Sequence, residues 1–399
     1  MNQIVIAPLD PVVARDGRPF NAGMRMKGLG WPYPSVLAGS LRTLLGKLQG
    51  GGFPEKTVQE LKDIEIAGPL PLKDGQLYFP AAADLVFDAG HCEWYAARPG
   101  RLTGAAPTCS LPAGLRPALL AADIPDDFKS SAPPAFWSTE RMTEWLVDPR
   151  QFPKIGPPKK PGPGFSSAPE REERTQTRID PERGAAKDEM LFQTVALGFR
   201  NGMTMAARAS AGNAFAGYLE RLDSIHPMGG ERRLAHWRTA NPPVAPPREG
   251  KHKQKTPAEK AEPPEPDPWQ CPGAIRKKLS QNPAKIRMVL ATPAVFDHGW
   301  KPDWLRDGRP PGLHARSNLK LTLVSACVPR WQPISGWDFE RKPMGPKPAR
   351  RLVPAGSVFF FEASGDTSSL AGLWLRSVSD QDPDRENGFG LALWGDWSE

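Results

Sequence analysis

Proline is the residue that most limits what this chain can fold into, filling 47 of 399 positions against an average usage of about 5%. Each proline fixes φ and lacks a backbone N–H, so it breaks helices and is excluded from central strands. A chain punctuated this way must be built from short elements joined by long connections. The prolines also cluster. Residues 149–175 hold seven among lysines and arginines and predict a loop, and residues 241–272 hold ten beside KHKQK and EKAEPPEPD. The second stretch cannot bury a core and has the composition of a flexible insertion or linker. It leaves residues 1–240 and 273–399 on either side, and a chain of this length suits two domains.

Periodicity places the elements between these clusters. Gln3–Leu9 (QIVIAPL) predicts a strand. Residues 15–33 predict a loop, with four glycines and two prolines among Arg15, Arg18, Arg25 and Lys27. Ser35–Leu48 predicts the clearest helix, capped by Ser35 and carrying Val36, Leu37, Leu41, Leu44, Leu45 and Leu48 on one face. Further strands are predicted within 76–87, 190–209, 286–295, 319–328 and 357–362, with short helices near 140–146 and 214–222. The pair within 190–209 flanks an Arg200-Asn201-Gly202 turn. The end, NGFGLALW, reads as a glycine loop feeding a last strand. Short strands with little helix in both halves give an α+β class.

Charge narrows the partner. Lys and Arg number 52 against 44 Asp and Glu, a formal +8. The excess sits in three places: six basic against two acidic groups in 1–48, seven against two in 226–255, and six against two in 330–351. Three separate basic clusters favour a polyanion such as nucleic acid. From residue 362 onward the sign reverses, with eight acidic groups and two basic. The four cysteines, Cys92, Cys109, Cys271 and Cys327, form no CxxC pair, which argues against a zinc knuckle and suits a reducing cytoplasm. No apolar run approaches the ~20 residues of a membrane span, and no signal peptide is evident.

Enzyme signatures are missing from the pattern. There is no GxxxxGK[ST] loop, no GxSxG and no HExxH. Of the six histidines, His226 is the best candidate for a general base in RNA cleavage, since basic residues follow it; an ordinary loop or surface histidine is the commoner case. Neither metal nor cofactor is expected.

Four short blocks carry the binding chemistry. The first is HPMGGERR (226–233), where glycines let backbone approach a ligand and Arg232 and Arg233 can reach phosphates, Glu231 orienting one of them. The second, RIDPERGAAKDEMLF (178–192), puts Arg178, Arg183 and Lys187 around a turn, although neighbouring acids nearly cancel the charge. In the third, residues 335–361, Trp337 and Phe339 interleave with Arg341, Lys342, Lys347, Arg350 and Arg351, a pattern that suits a stacking-plus-backbone grip on single strands. The fourth is Gly388-Phe389-Gly390, a glycine loop able to offer N–H groups to a phosphate. Each is weak alone.

Their order is more specific. IAPLDPVVARDGRPF (6–20), WPYPSVLAGSLRTLLG (31–46), RIDPERGAAKDEMLF, GGERR, TPAVFDHGWKPDWL (292–305), SGWD (335–338), AGSVFFFE (355–362) and NGFG (387–390) together resemble the third RAMP-superfamily subunit of type III-B CRISPR (Cmr) effector complexes, the subunit that caps the guide RNA. The two proline-rich stretches match nothing in that family and read as insertions. The resemblance implies two ferredoxin-like (RRM-like) modules, the first within 1–240 and the second within 273–399. It implies no catalysis by this subunit, and binding of the repeat-derived 5′ handle of the CRISPR RNA. It also implies docking against the large polymerase-like subunit and the backbone RAMP subunit, with no direct DNA contact. By block, it puts Arg15, Arg18, Ser35, Arg42, Arg178, Arg232, Arg233, Lys342, Lys347, Gly388, Phe389 and Gly390 near the RNA. The competing readings are a RAMP endoribonuclease centred on His226 and a scaffold that meets only proteins.

Overall fold

The computed structural model describes residues 1–18, 25–102, 111–120, 124–156, 161–240, 267–338 and 342–397. Most of the 241–272 stretch, together with Phe339 and Arg341, lies outside the described residues. The fold is mixed α/β, and its sheets are antiparallel.

The first sheet has eight strands. In spatial order they are Asp223–Pro227, Leu234–Thr239, Asn2–Pro8, Thr204–Ser210, Glu65–Lys73, Gln76–Pro80, Phe136–Ser138 and Phe165–Ser166. Asn2–Pro8 shows why it forms: Ile4 and Ile6 are buried while Val5 between them is not, the period-two pattern of a half-covered strand. The helix Pro34–Leu48 supplies the cover. Its Leu37, Leu41, Leu44 and Leu45 pack with Ile4, Ile6, Met205 and Trp237 in one core, which the helix Asn213–Glu220 completes through Phe215 and Leu219. Ser35 is not the cap. The helix starts one residue earlier, with Pro34 in its first turn and Tyr33 extended before it; a proline there loses no hydrogen bond, and its fixed φ already suits a helix. Ser35 is exposed on the first turn.

The second sheet has five strands, ordered Lys320–Cys327, Val358–Ser364, Lys285–Leu290, Leu391–Asp396 and Arg376–Ser377. Val358, Phe359, Phe360 and Phe361 are all buried, so both faces of this sheet are covered. One continuous core joins it to residues of the 67–165 region, including Phe79, Trp137, Trp145 and Phe152. At its centre Asp84, fully buried, accepts from Arg287 at 2.6 Å, from Arg98 at 3.0 Å and from the Trp145 indole at 2.9 Å.

The two sheets share one connectivity. Numbering Asn2–Pro8, Glu65–Lys73, Thr204–Ser210 and Leu234–Thr239 from first to fourth, the spatial order is fourth, first, third, second. Lys285–Leu290, Lys320–Cys327, Val358–Ser364 and Leu391–Asp396 repeat that order. Helices Pro34–Leu48 and Asn213–Glu220 make the crossings in the first set; short 3-10 turns at Asp303–Arg306 and Thr367–Leu373 stand in the second.

Two local expectations need correcting. The 149–175 region is not all loop: Glu170–Ile179 is a strand, paired with Ala186–Gly198 in a long two-stranded hairpin. The Arg200-Asn201-Gly202 turn forms, with positive φ at Asn201 and Gly202, but the strands beside it part company. Ala186–Gly198 belongs to the hairpin, whereas Thr204–Ser210 enters the first sheet. Of the 241–272 stretch, the described end is packed, with Trp269 and Cys271 buried and Asp267 accepting from Gln3 at 2.6 Å.

Candidate nucleic-acid interface

The segment after the first strand folds back as irregular backbone between two partners. On one side Val12 exchanges hydrogen bonds with Leu197 at 2.9 and 2.8 Å, and Met26 donates to Gln193 at 2.8 Å, so the segment runs along the hairpin. On the other, Gly230 donates its N–H to the Val13 carbonyl at 2.7 Å. Gly229 must be glycine: its φ is +76°, and a Cβ there would lie 2.4 Å from the Val13 oxygen. This contact carries the GGERR turn onto the first loop.

The result is a groove of roughly 520 Å³. Val13, Ala14 and Arg15 line it from the loop, Gly39 and Ser40 from the helix, Phe192 and Thr194 from the hairpin, and Gly229 to Glu231 from the turn. Four sequence-distant blocks therefore meet at one place. Arg15 in the lining and Arg232, the residue after the lining's Glu231, are exposed, and neither has a carboxylate partner among the described residues. Arg233 is instead paired with Glu231 at 2.8 Å, and both Glu231 and Arg232 hold positive φ. Arg178 is exposed on the far part of the hairpin.

Arg18 is fixed by the buried Asp16, which accepts from its backbone N–H at 3.2 Å and from its Nε at 2.7 Å. That hydrogen bond holds the guanidinium pKa above its ordinary value. Tyr33 stands nearby; burial, and then the Asp16 charge, raise its phenol pKa. Gly17 packs directly on Ser335, where a Cβ would come within 2.3 Å. Ser335 in turn donates to the Lys347 carbonyl at 2.7 Å, so the loop carrying Lys347 lies against the first loop. Lys342 and Lys347 are both exposed, as is Trp337. Asp16, Tyr33, Phe192, Thr194 and Ser335 were not singled out by sequence reasoning. Only Asp16 left a signal, as an Asx-type turn before a glycine.

Three expected contacts prove internal. Arg42 donates to Asn387 Oδ1 at 2.6 Å and to the Lys62 and Ile64 carbonyls at 3.0 and 2.9 Å. Burial lowers its pKa, and its guanidinium ties the first helix to the loop at 387–390. That loop spends its amides inside the protein: Gly388 donates to Arg385, Phe389 to Asp384 and Gly390 to Pro293, at 3.1, 3.1 and 2.7 Å. Phe389 is buried against Tyr33, Val295, Ile334 and Leu352. Arg350 is held by the buried Asp384 through both nitrogens, at 2.8 and 2.9 Å. The 388–390 loop is thus a seam between the first helix and the C-terminal half, not a free cradle of N–H groups.

His226 lies in the strand Asp223–Pro227 and is buried. Burial, and then the Lys47 charge, lower its pKa. An unfolded imidazole titrates near 6.5, so below that point the unfolded chain takes up the proton more readily than the folded one. Stability from this group is present above about pH 6.5 and is lost as the pH falls. His226→Phe is expected to flatten the acid side of a plot of urea midpoint against pH; an unchanged acid slope would mean that other groups set it.

Chemically, the groove presents the exposed Arg15 guanidinium over a glycine-lined backbone, with Arg232 next in the chain to its Glu231, an arrangement that accepts phosphate oxygens. Among the described residues no group of three His, Cys, Asp or Glu side chains could hold a metal, and no helix is long and apolar enough to cross a membrane.

Comparison with known proteins places the chain. A family model described as CRISPR-associated protein (Cas_Cmr3) matches residues 4–397. No curated protein matches. Similar solved structures include a chain of a type III-B Cmr-beta complex bound to cognate target RNA and AMPPnP, at 14% identity and TM-score 0.44, covering 90% of this chain and 86% of that one. The same complex bound to cognate target RNA gives 14% and 0.43 over the same shares. A chain of a Csm3–Csm4 subcomplex from a type III-A CRISPR-Cas interference complex gives 10% and 0.37, covering 92% and 94%.

Proposed function

Because this chain belongs to the Cas_Cmr3 family of CRISPR-associated proteins, we propose that it is a non-catalytic subunit of a type III-B effector that holds the 5′ repeat-derived handle of the CRISPR RNA. In that reading it fixes the end of the guide, and it docks between the large polymerase-like subunit and the backbone RAMP subunit, as the third RAMP subunit. The two fourth-first-third-second sheets support describing it as two ferredoxin-like modules. Its place of action is the cytoplasm.

The observation that carries the proposal is the groove in which the first loop, the first helix, the hairpin and the GGERR turn converge, with Arg15 and Arg232 exposed beside glycine backbone. Arg18 on the first loop, Lys342 and Lys347 on the segment packed against it, and Arg178 on the hairpin extend the basic surface in this reading. Ser35, Arg42 and Gly388 to Gly390 act in this reading by shaping the groove. The endoribonuclease reading would need a histidine within reach of a ribose hydroxyl, and the burial of His226 in a strand does not favour it.

Arg15→Ala with Arg232→Ala is the test. Each phosphate contact removed should lower the slope of log affinity against log salt by about one. The double variant is expected to bind a handle-bearing CRISPR RNA more weakly and with a slope shallower by about two, while its affinity for the same RNA without the handle changes little. Equal losses on both RNAs would reduce the groove to general RNA binding, and no loss on either would remove it as the site.

A further inference from the structure

A second cleft, of about 480 Å³, shares no lining residue with the groove. Leu115, Pro117, Ala326, Val328, Leu352 and Val353 make its lining largely apolar. Its walls are held in place. Arg116 donates its backbone N–H to the Val324 carbonyl at 2.8 Å, which fastens residues 115–118 along the edge strand of the second sheet. Trp300 is backed by Phe359, the rings 6.4 Å apart and nearly parallel at 19°.

The mouth differs in character from the floor. Trp331 is 46% exposed, and the Arg351 guanidinium lies 4.9 Å from its ring centroid. Arg330 and Arg351 are exposed, and neither has a carboxylate partner among the described residues. Arg116 is paired with Glu362 at 3.2 Å. No aspartate or glutamate lines the cleft. An apolar floor rimmed by uncompensated guanidiniums matches an occupant that is apolar at its centre and anionic at its edges.

We propose that this cleft docks a segment of a partner protein that presents a large apolar side chain flanked by carboxylates. A nucleobase fits it less well. Apart from the arginines and two indoles, Ser325 is the lining's only polar side chain, and it is buried, so the polar edge of a base would lose its water without gaining matched partners. The proposal stands on this cleft alone and does not depend on RNA binding in the groove.

The test uses the full chain and a short fluorescein-labelled peptide with Asp-Asp-Trp-Leu-Asp at its centre, followed by fluorescence anisotropy. A second peptide replaces each aspartate with lysine, and an oligoadenylate RNA serves as competitor. The acidic peptide is expected to bind and the lysine peptide not. Arg330→Glu and Trp331→Ala alter exposed side chains, so both variants should keep the parent circular dichroism, and each should weaken the acidic peptide by about tenfold, a change of ~1.4 kcal/mol. No binding up to about 1 mM, or equal binding by both variants, would overturn the proposal. Displacement by oligoadenylate that is itself lost in Trp331→Ala would overturn it in favour of a base-stacking site.

Discussion

Asp84→Ala is expected to destabilise the chain by about 3–5 kcal/mol, the usual cost of removing one partner from a buried ion cluster. Asp84 is the only carboxylate bonded to the guanidiniums of Arg287 and Arg98 among the described residues. Arg287 is fully buried, and Arg98 keeps 16% of its side chain exposed. Both guanidiniums also lie over the Trp145 ring, at 5.3 and 5.5 Å. Burial, and then the neighbouring Arg287 charge, bring the Arg98 pKa down to about 10. The cluster therefore sits near the limit of what its one anion can compensate. Without Asp84, the fully buried Arg287 and the mostly buried Arg98 would be left side by side with no anion, and the Trp145 indole would lose its acceptor. Asp84→Asn should cost less, since an amide oxygen still accepts from the indole, and Arg98→Ala less again, because that group reaches water. Urea midpoints of the three variants should fall in that order. A midpoint for Asp84→Ala within error of the parent would show that water enters the site and replaces the carboxylate.

Phe389→Ala is expected to cost about 3–5 kcal/mol as well, from the lost burial and the cavity left behind. Its second effect is more informative. The side chain packs with Tyr33, at the start of the first helix, and with Ile334 and Leu352, on the strand pair that leads to the Lys347 loop. Emptying that position would loosen the helix start relative to the loop without removing any basic group. Handle affinity measured well below the unfolding temperature should fall while its salt slope stays at the parent value, because the count of phosphate contacts is unchanged. Arg15→Ala with Arg232→Ala should change the slope instead. If Phe389→Ala alters the slope, the 388–390 loop contributes contacts directly and is more than a seam.

Sequence reasoning reached the elements that announce themselves by period. The leucines of 37–45 form the buried helical face expected of them, and QIVIAPL is a strand, because burial on one side leaves its mark on residue choice. The hairpin strand Glu170–Ile179 left no such mark. EREERTQTRI has almost nothing to bury, and it is a strand because Ala186–Gly198 pairs with it. The site divides the same way. GGERR and the first loop could be picked out singly, but only the fold shows that Gly229 abuts Val13. Charge misled most where a guanidinium is paired within the chain. Arg42 and Arg350 look like free cations until Asn387, 345 residues along the chain, and Asp384, 34 residues along, meet them.

The position of the first strand has a consequence for biosynthesis. Asn2–Pro8 lies between Thr204–Ser210 and Leu234–Thr239, so this strand gains its first neighbour only after residue 210 has been made and its second only after residue 239. At about 5–20 residues per second, QIVIAPL spends on the order of 10–40 s with both edges open, a template for pairing with other nascent chains. A fragment ending before Leu234 would keep one of those edges permanently exposed, whereas one ending at 240 would contain every strand of the first sheet.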